Sequence, residues 1–217
     1  MTSNHLEFIV EEPSMEAFLR GLLPKLLGSN STFEIYPHQC KEDLIKHLPM
    51  RLAGYRMWLP ENWRIFVVVD CDNDECNQLK NKLENIAEKA GLRSRTKRDE
   101  YSWQIVNRIA IEELEAWYFG DWAAVRQVYS KVNPNIPTQA HYRHPDTIKG
   151  GTWEAFERCL QKAGYFKGGL RKIEAARLLG KALDPLRNRS PSFSVFRDAI
   201  IEAATQGISI SSDVDCS

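Results

Sequence analysis

An α/β fold with a mostly parallel, doubly wound sheet is predicted by three features of the sequence. Short apolar runs alternate with amphipathic stretches through the first half, one of those runs is apolar at every position, and the two best runs stop abruptly at acids. Strands that alternate with helices imply crossover connections and a parallel sheet. A strand with no polar position belongs at the centre of such a sheet, covered by helices on both faces.

The elements follow in order. Leu6 to Val10 is a first strand that ends at Glu11 and Glu12. Pro13 opens a helix with Met15, Phe18, Leu19, Leu22, Leu23, Leu26 and Leu27 on one stripe. Proline suits a first helical turn, whereas Pro24 is expected to kink or shorten the helix, with an end near Gly28. A second strand is expected over Thr32–Tyr36, then a helix carrying Leu44, Ile45, Leu48 and Leu52. Ile65 to Val69 is the strongest strand. It runs straight into Asp70-Cys71-Asp72-Asn73-Asp74, after which Leu79, Leu83 and Ile86 mark a helix closing at Gly91. A further strand lies within Trp103–Ala110. Beyond Ile111 the pattern turns helical, from Glu112 to Tyr118, around Trp122 to Tyr129, around Leu170 to Leu183, and from Ser192 to Ala204. A loop rich in Pro, Asn and His spans 133–145. Ser190-Pro191 is a start signal for the last helix, with serine capping and proline at the first helical position. The expected organisation is an α/β core over 1–120, a helical extension packed on it over 121–206, and a frayed tail over 207–217.

Bulk properties exclude several classes. Of 217 residues, 43% are hydrophobic and 27% charged, as in an ordinary globular protein. No run approaches the roughly 18 apolar residues of a membrane span, and the start lacks the basic and apolar regions of a secretory signal. The five cysteines are odd in number and lack a repeated close spacing, which predicts free thiols in a reducing cytoplasm. Net charge is zero, but bases gather at Arg93 to Arg98 and again between Lys162 and Arg189. There is no phosphate loop of the G-x-x-x-x-G-K-[ST] type, no G-x-G-x-x-G and no G-x-S-x-G, so ATP hydrolysis by that loop, dehydrogenase and hydrolase-triad chemistry have nothing to rest on.

The acids at the strand ends carry the chemistry. Ligands of open parallel sheets bind at the carboxyl ends of the strands. Glu11 ends the first strand and Asp70 the strongest, and in extended backbone Asp70 and Asp72 point the same way. Carboxylates converging at one edge repel unless a cation lies between them, and oxygen ligands suit Mg²⁺ or Mn²⁺. The competing expectation is a capped turn, with Asp74 capping the next helix. Glu112 and Glu115 are three apart and share a helix face if both are helical. Glu115 is the better additional ligand, because Glu112 and Glu113 suit a helix start on charge alone. His141 and His144 have a spacing compatible with zinc but no matching partners, which leaves an ordinary loop. Arg171, Lys172 and Arg177 belong to a basic set suited to phosphate contacts.

Taken together, FIVEEPSMEAFL at 8–19, VVVDCDND at 67–74, IAIEELEAWYFGD at 109–121, HPD at 144–146 and NRSPSF at 188–193 resemble an uncharacterised bacterial Toprim-like family. The resemblance runs from about residue 6 to residue 200. It relates the chain to the Toprim domains of topoisomerases, primases and old-type nucleases. It implies that Glu11 is the general acid or base and that Asp70 and Asp72 bind the metal. It departs at Glu12, where glycine is usual; Glu12 either adds a fourth acid or displaces Glu11. With no second domain to supply a tyrosine nucleophile, hydrolysis by water is expected over strand passage. The expected function is a cytoplasmic Mg²⁺- or Mn²⁺-dependent nuclease acting on DNA or RNA. The resemblance further implies a partner ATPase in phage defence or a toxin system. The alternatives are a non-catalytic subunit of an ATPase-containing complex and a metal-dependent nucleotidyl or phosphoryl transferase.

Overall fold

The computed structural model describes residues 4–29, 31–72, 75–97 and 103–205. Asp74, Arg98 and the segment 207–217, on which some expectations fall, lie outside them. Four strands, β1 (Asn4–Val10), β2 (Ser31–Pro37), β3 (Trp63–Asp70) and β4 (Ile105–Ala110), form one sheet in the order β2-β1-β3-β4. Every pairing is parallel. Residues 65–69 of β3 are fully buried, as an uninterrupted apolar strand demands.

Side-chain alternation divides the sheet between two apolar clusters. Ile9, Ile65, Val67 and Val69 face α2 (Lys41–Trp58) and α3 (Cys76–Lys89). Leu6, Phe8, Val10, Phe66 and Val68 face the other way. There they meet α1 (Pro13–Leu26), α4 (Leu114–Gly120) and α8 (Pro191–Thr205) in one continuous cluster, which also takes in α5 (Trp122–Val128) and α6 (Thr152–Lys162). Helices on both faces make the sheet doubly wound. Trp117 and Phe196 stack at 4.9 Å and Phe8 and Phe66 at 4.8 Å, so large rings fill the layer between sheet and helices.

Local signals account for most boundaries. Pro13 occupies the first turn of α1, and Pro24 sits in its last turn, so the helix stops at Leu26. The amide of Phe193 donates to Ser190 Oγ at 3.1 Å, the cap expected for α8. The sequence expectations contained no helix over 152–162, although Trp153, Phe156, Leu160 and Ala163 have helical spacing. This is α6, which starts after Gly151, a residue with φ of +80°.

The helices beyond residue 120 are clamped by buried polar groups. The Asp121 carboxylate accepts both Arg187 Nε (2.7 Å) and Nη2 (2.9 Å), together with the amide of Asp184 (2.8 Å). Asp146 accepts Ser190 Oγ (2.6 Å) and the Ser192 amide (2.7 Å) at the start of α8. Asn188 Nδ2 donates to the Trp117 carbonyl at 2.8 Å, closing α4. The HPD and NRSPSF motifs therefore join the last helix to α4.

The remaining helix, α7 (Lys172–Ala182), lies against α1 at backbone contact. A β-carbon on Gly21 would come within 2.7 Å of the Lys181 amide nitrogen, and one on Gly180 would strike the Phe18 carbonyl. This approach brings the first residue of α7, Lys172, to the carboxyl edge of the sheet. Gly180→Ala should force the helices apart and cost about 1–3 kcal/mol, the usual range for overpacking; denaturant unfolding of the variant checks it.

Candidate metal centre

β1 and β3 are adjacent, but the chain leaves β1 toward β2 on one side and leaves β3 toward β4 on the other. Their carboxyl ends therefore flank the topological switch point, where open α/β sheets bind ligands. Glu11 follows β1 and Asp70 ends β3. The Asp70 amide donates to Glu11 Oε2 at 2.9 Å, which ties the two strand ends together. The parity of β3 turns the Asp70 side chain to the same face as Phe66 and Val68, the face α4 covers. Asp70 is 8% exposed, and its Oδ1 is buried with no hydrogen-bond partner among the described residues. Glu115, on α4, is 4% exposed.

Burial dominates the electrostatics. It pushes the Glu11 carboxyl up to about 7, against the Asp70 amide and Lys41, which favour the anion, while Asp72 and Glu12 add to the rise. Burial likewise takes Glu115 to about 7, with Lys172 opposing and Glu113 and Glu12 assisting. Asp70 lies well above the carboxylate range, through burial and then the charges of Glu11, Glu115, Glu12 and Asp72. Burial works against the Lys172 ammonium, yet Glu115, Glu12, Glu113 and Asp70 outweigh it and hold its pKa above the ordinary lysine value. Tyr118, one turn beyond Glu115, has a buried hydroxyl with no partner among the described residues, raised by burial and by Glu115 and Asp70.

Asp72 departs from its expectation. β3 ends at Asp70, and Asp72 has φ of +49°, so it does not continue the extended alternation. Its amide donates to the Glu112 carbonyl at 2.8 Å, and Glu112 itself has φ of +65°. Its Oδ2 pairs with Lys41 Nζ at 2.7 Å, leaving a side chain 40% exposed. Asp72 remains close enough to raise Asp70 and Glu11, but Lys41 already balances its charge. Two related expectations are corrected here. Cys71 and Cys76 form a disulfide rather than remaining free, because the turn at Asp72 returns the chain and brings their Cα atoms to 5.7 Å. The cap of α3 is Glu75, whose carboxylate accepts the amides of Asn77 and Gln78.

Other acids sort by backbone position. Glu12 has an extended backbone (φ −146°), which any residue adopts, so glycine is not required. Its carboxylate accepts from Ser14 Oγ and still acts on Asp70, Glu115 and Lys172. Glu11 stays tied to the Asp70 amide beside it. Glu112 precedes α4, whose first residue is Leu114, so it shares no helix face with Glu115. Glu113 instead caps α6, accepting Thr152 Oγ1 at 2.9 Å and the Trp153 amide at 2.8 Å.

Of the three expected phosphate contacts, Lys172 alone acts on the acids. Arg171 is exposed and paired with Glu174 at 3.2 Å, and Arg177 is exposed on α7. Lys41 was not anticipated, since a lone lysine after a cysteine carries no spacing signal. It lines a cleft of about 510 Å³ between α2 and α3 that also holds Lys46, Lys82, Glu42 and Glu75. His141 and His144 stay on the surface loop.

A divalent cation fits the donor set in one particular way. Among the described residues, the acids do not form a trio whose oxygen atoms all lie within 4.8 Å of one another. Mg²⁺ tolerates this, because it keeps several waters and binds through one or two carboxylates directly. Asp70, whose buried Oδ1 has no partner among the described residues, would be the direct ligand of such an ion, with Glu11 and Glu115 as the acids that would hold its waters.

A family model described as a domain of unknown function (DUF4276) matches residues 10–201. The chain belongs to that family. The matched span includes Glu11, Asp70, Asp72 and Glu115, the Asp146 and Asn188 clamps, and most of α8. No curated protein and no solved structure matches the chain.

The raised carboxyls predict a pH dependence. Glu11 and Glu115 in the folded protein keep protons up to about 7, whereas in the unfolded chain they release them near the ordinary glutamate value of 4.5. The folded state then binds more protons across that window. Stability from these groups is present below about 4.5 and is lost as pH rises through about 7. In chelator, thermal unfolding should therefore show a falling midpoint from pH 5 to pH 7, and Glu115→Gln should flatten the fall.

Proposed function

We propose that the chain is a Mg²⁺- or Mn²⁺-dependent phosphodiesterase of the Toprim-like type, cutting DNA or RNA by attack of water. The observation that carries this is the Asp70 carboxylate, buried at the switch point with an unpartnered oxygen and with Glu11 and Glu115 beside it. The resemblance of the strand-end acids to Toprim domains supports the same reading.

Each residue has a task in it. Asp70 is the direct ligand of the cation, with Glu115 steadying it from α4. When bound, the ion would polarise the phosphodiester and acidify a coordinated water. Glu11, tied to the Asp70 amide at the end of β1, serves as general acid or base. Lys172 on one side and Lys41 on the other offer charge to the phosphates, and the exposed Arg171 and Arg177 extend the basic surface along α7. A partner ATPase, as in phage defence or a toxin system, belongs to the same resemblance. One observation favours a second reading, in which the chain is a non-catalytic subunit: the Lys41–Asp72 pair neutralises an acid that a metal would otherwise use.

Mn²⁺ calorimetry alongside cleavage of labelled DNA and RNA separates the two. The nuclease predicts saturable Mn²⁺ binding that Asp70→Asn removes. It also predicts cleavage that falls by about a hundredfold or more in Glu11→Gln, the scale of a lost general acid or base. Mn²⁺ binding with no cleavage of either polymer, with and without the ATPase, would favour the subunit. No Mn²⁺ binding by the folded protein would sink the metal centre.

A further inference from the structure

The second strand delivers a different donor set to the same edge of the sheet. His38 follows the last residue of β2, and its amide donates to the carbonyl of Val10, the residue before Glu11. Its Nδ1 lies 2.8 Å from Asp43 Oδ2, in the first turn of α2. One turn on, His47 Nδ1 lies 3.0 Å from Asp43 Oδ1 and 2.9 Å from the Asp43 carbonyl. The two imidazole rings stack at 6.1 Å with an interplanar angle of 17°. Two imidazoles therefore converge on the two oxygens of one carboxylate. Donor atoms of all three residues lie within 4.8 Å of one another, and among the described residues this is the group with that property.

We propose that His38, Asp43 and His47 form a second cation site, selective for a borderline metal such as Zn²⁺. Two imidazoles and a carboxylate suit Zn²⁺, Co²⁺ or Ni²⁺, whereas the all-oxygen set at Asp70 suits Mg²⁺ or Mn²⁺. Zn²⁺ bonds to nitrogen and oxygen of about 2.0–2.2 Å put tetrahedral donors about 3.3 Å apart, and the two histidine–aspartate spacings, 2.8 and 3.0 Å, lie near that value. Three protein ligands leave a fourth position for water or a ligand atom, the pattern of an open rather than a closed zinc site. Asp43 is 33% and His47 44% exposed, which gives the ion a path in, while His38 is 12% exposed and anchors the group to the sheet.

The location gives the site a consequence. An ion there would pin the β2–α2 connection, which leads directly into Lys41, the first residue of α2 and the residue that holds Asp72. Occupancy at the histidines would thus steady one wall of the acidic edge without sharing a ligand with it. The proposal does not depend on nuclease activity.

Co²⁺ titration of the full chain, followed by visible absorption and calorimetry, tests it. One equivalent should develop the intense absorption of four-coordinate Co²⁺ with imidazole ligands, displaced by Zn²⁺. Asp70→Asn should leave that signal unchanged, which separates this site from the acidic one. His47→Ala should lower Zn²⁺ affinity by more than the 10–100-fold typical of an outer-shell partner. Should that variant fail to fold, the imidazole proton resonances of the unaltered protein serve: Zn²⁺ should shift two of the five histidines, saturating at one equivalent. Absence of the absorption, its loss in Asp70→Asn, or unshifted histidines would overturn the proposal.

Discussion

Water reaches the Asp70 carboxylate poorly, and the described residues supply no partner for one of its oxygens. Burying an acid in that way is unfavourable, and the group answers by holding its proton more tightly. The surrounding structure must keep it there all the same. It does so because Asp70 ends a strand whose preceding five residues are fully buried, so the carboxylate cannot move outward without pulling β3 from the core. The tie from the Asp70 amide to Glu11 fixes the neighbouring strand end in turn. The acidic edge is a consequence of where apolar strands stop.

Opposite Asp70, the site depends on helices far along the chain. Glu115 reaches it from α4, and Lys172 from α7, which the backbone contact of Gly21 and Gly180 sets against α1. Three buried polar clamps, at Asp121, Asp146 and Asn188, hold α4, α5 and α8 in register with one another. Buried hydrogen bonds of this kind are costly to leave half made, so they specify one arrangement of helices that apolar packing alone would leave looser. The lysine and the acids then meet with opposite charge at the one edge.

Along β2 and β3 the edge is tuned by turn geometry. The left-handed backbone at Asp72 and Glu112 turns the D-x-D segment away from its strand, hands Asp72 to Lys41, and joins Cys71 to Cys76. Asp70 and Asp72 consequently do separate work despite their spacing of two. Oxygen donors collect over β1 and β3, and nitrogen donors over β2. A single sheet edge so presents two different ligand chemistries side by side.

The alternating pattern of apolar runs and amphipathic stretches was sufficient to predict the parallel sheet, its central strand and the position of Glu11 and Asp70 at strand ends, since each follows from side-chain periodicity within one segment. Periodicity also placed Glu115 on a helix, and the Ser190-Pro191 signal placed the start of the last one. Other features were decided only in three dimensions. Asp72 depended on a left-handed turn stabilised by Glu112, a residue 40 positions away. Lys41 came to the edge through its contact with Asp72 on another element, and His38 met the helical Asp43–His47 pair only through the turn from β2 into α2. The Cys71–Cys76 bond required the same turn. What lies within one strand or helix is written in its own residues, because burial repeats with the geometry of the element. What lies between elements is set by how their faces close on one another, and that is a property of the whole chain.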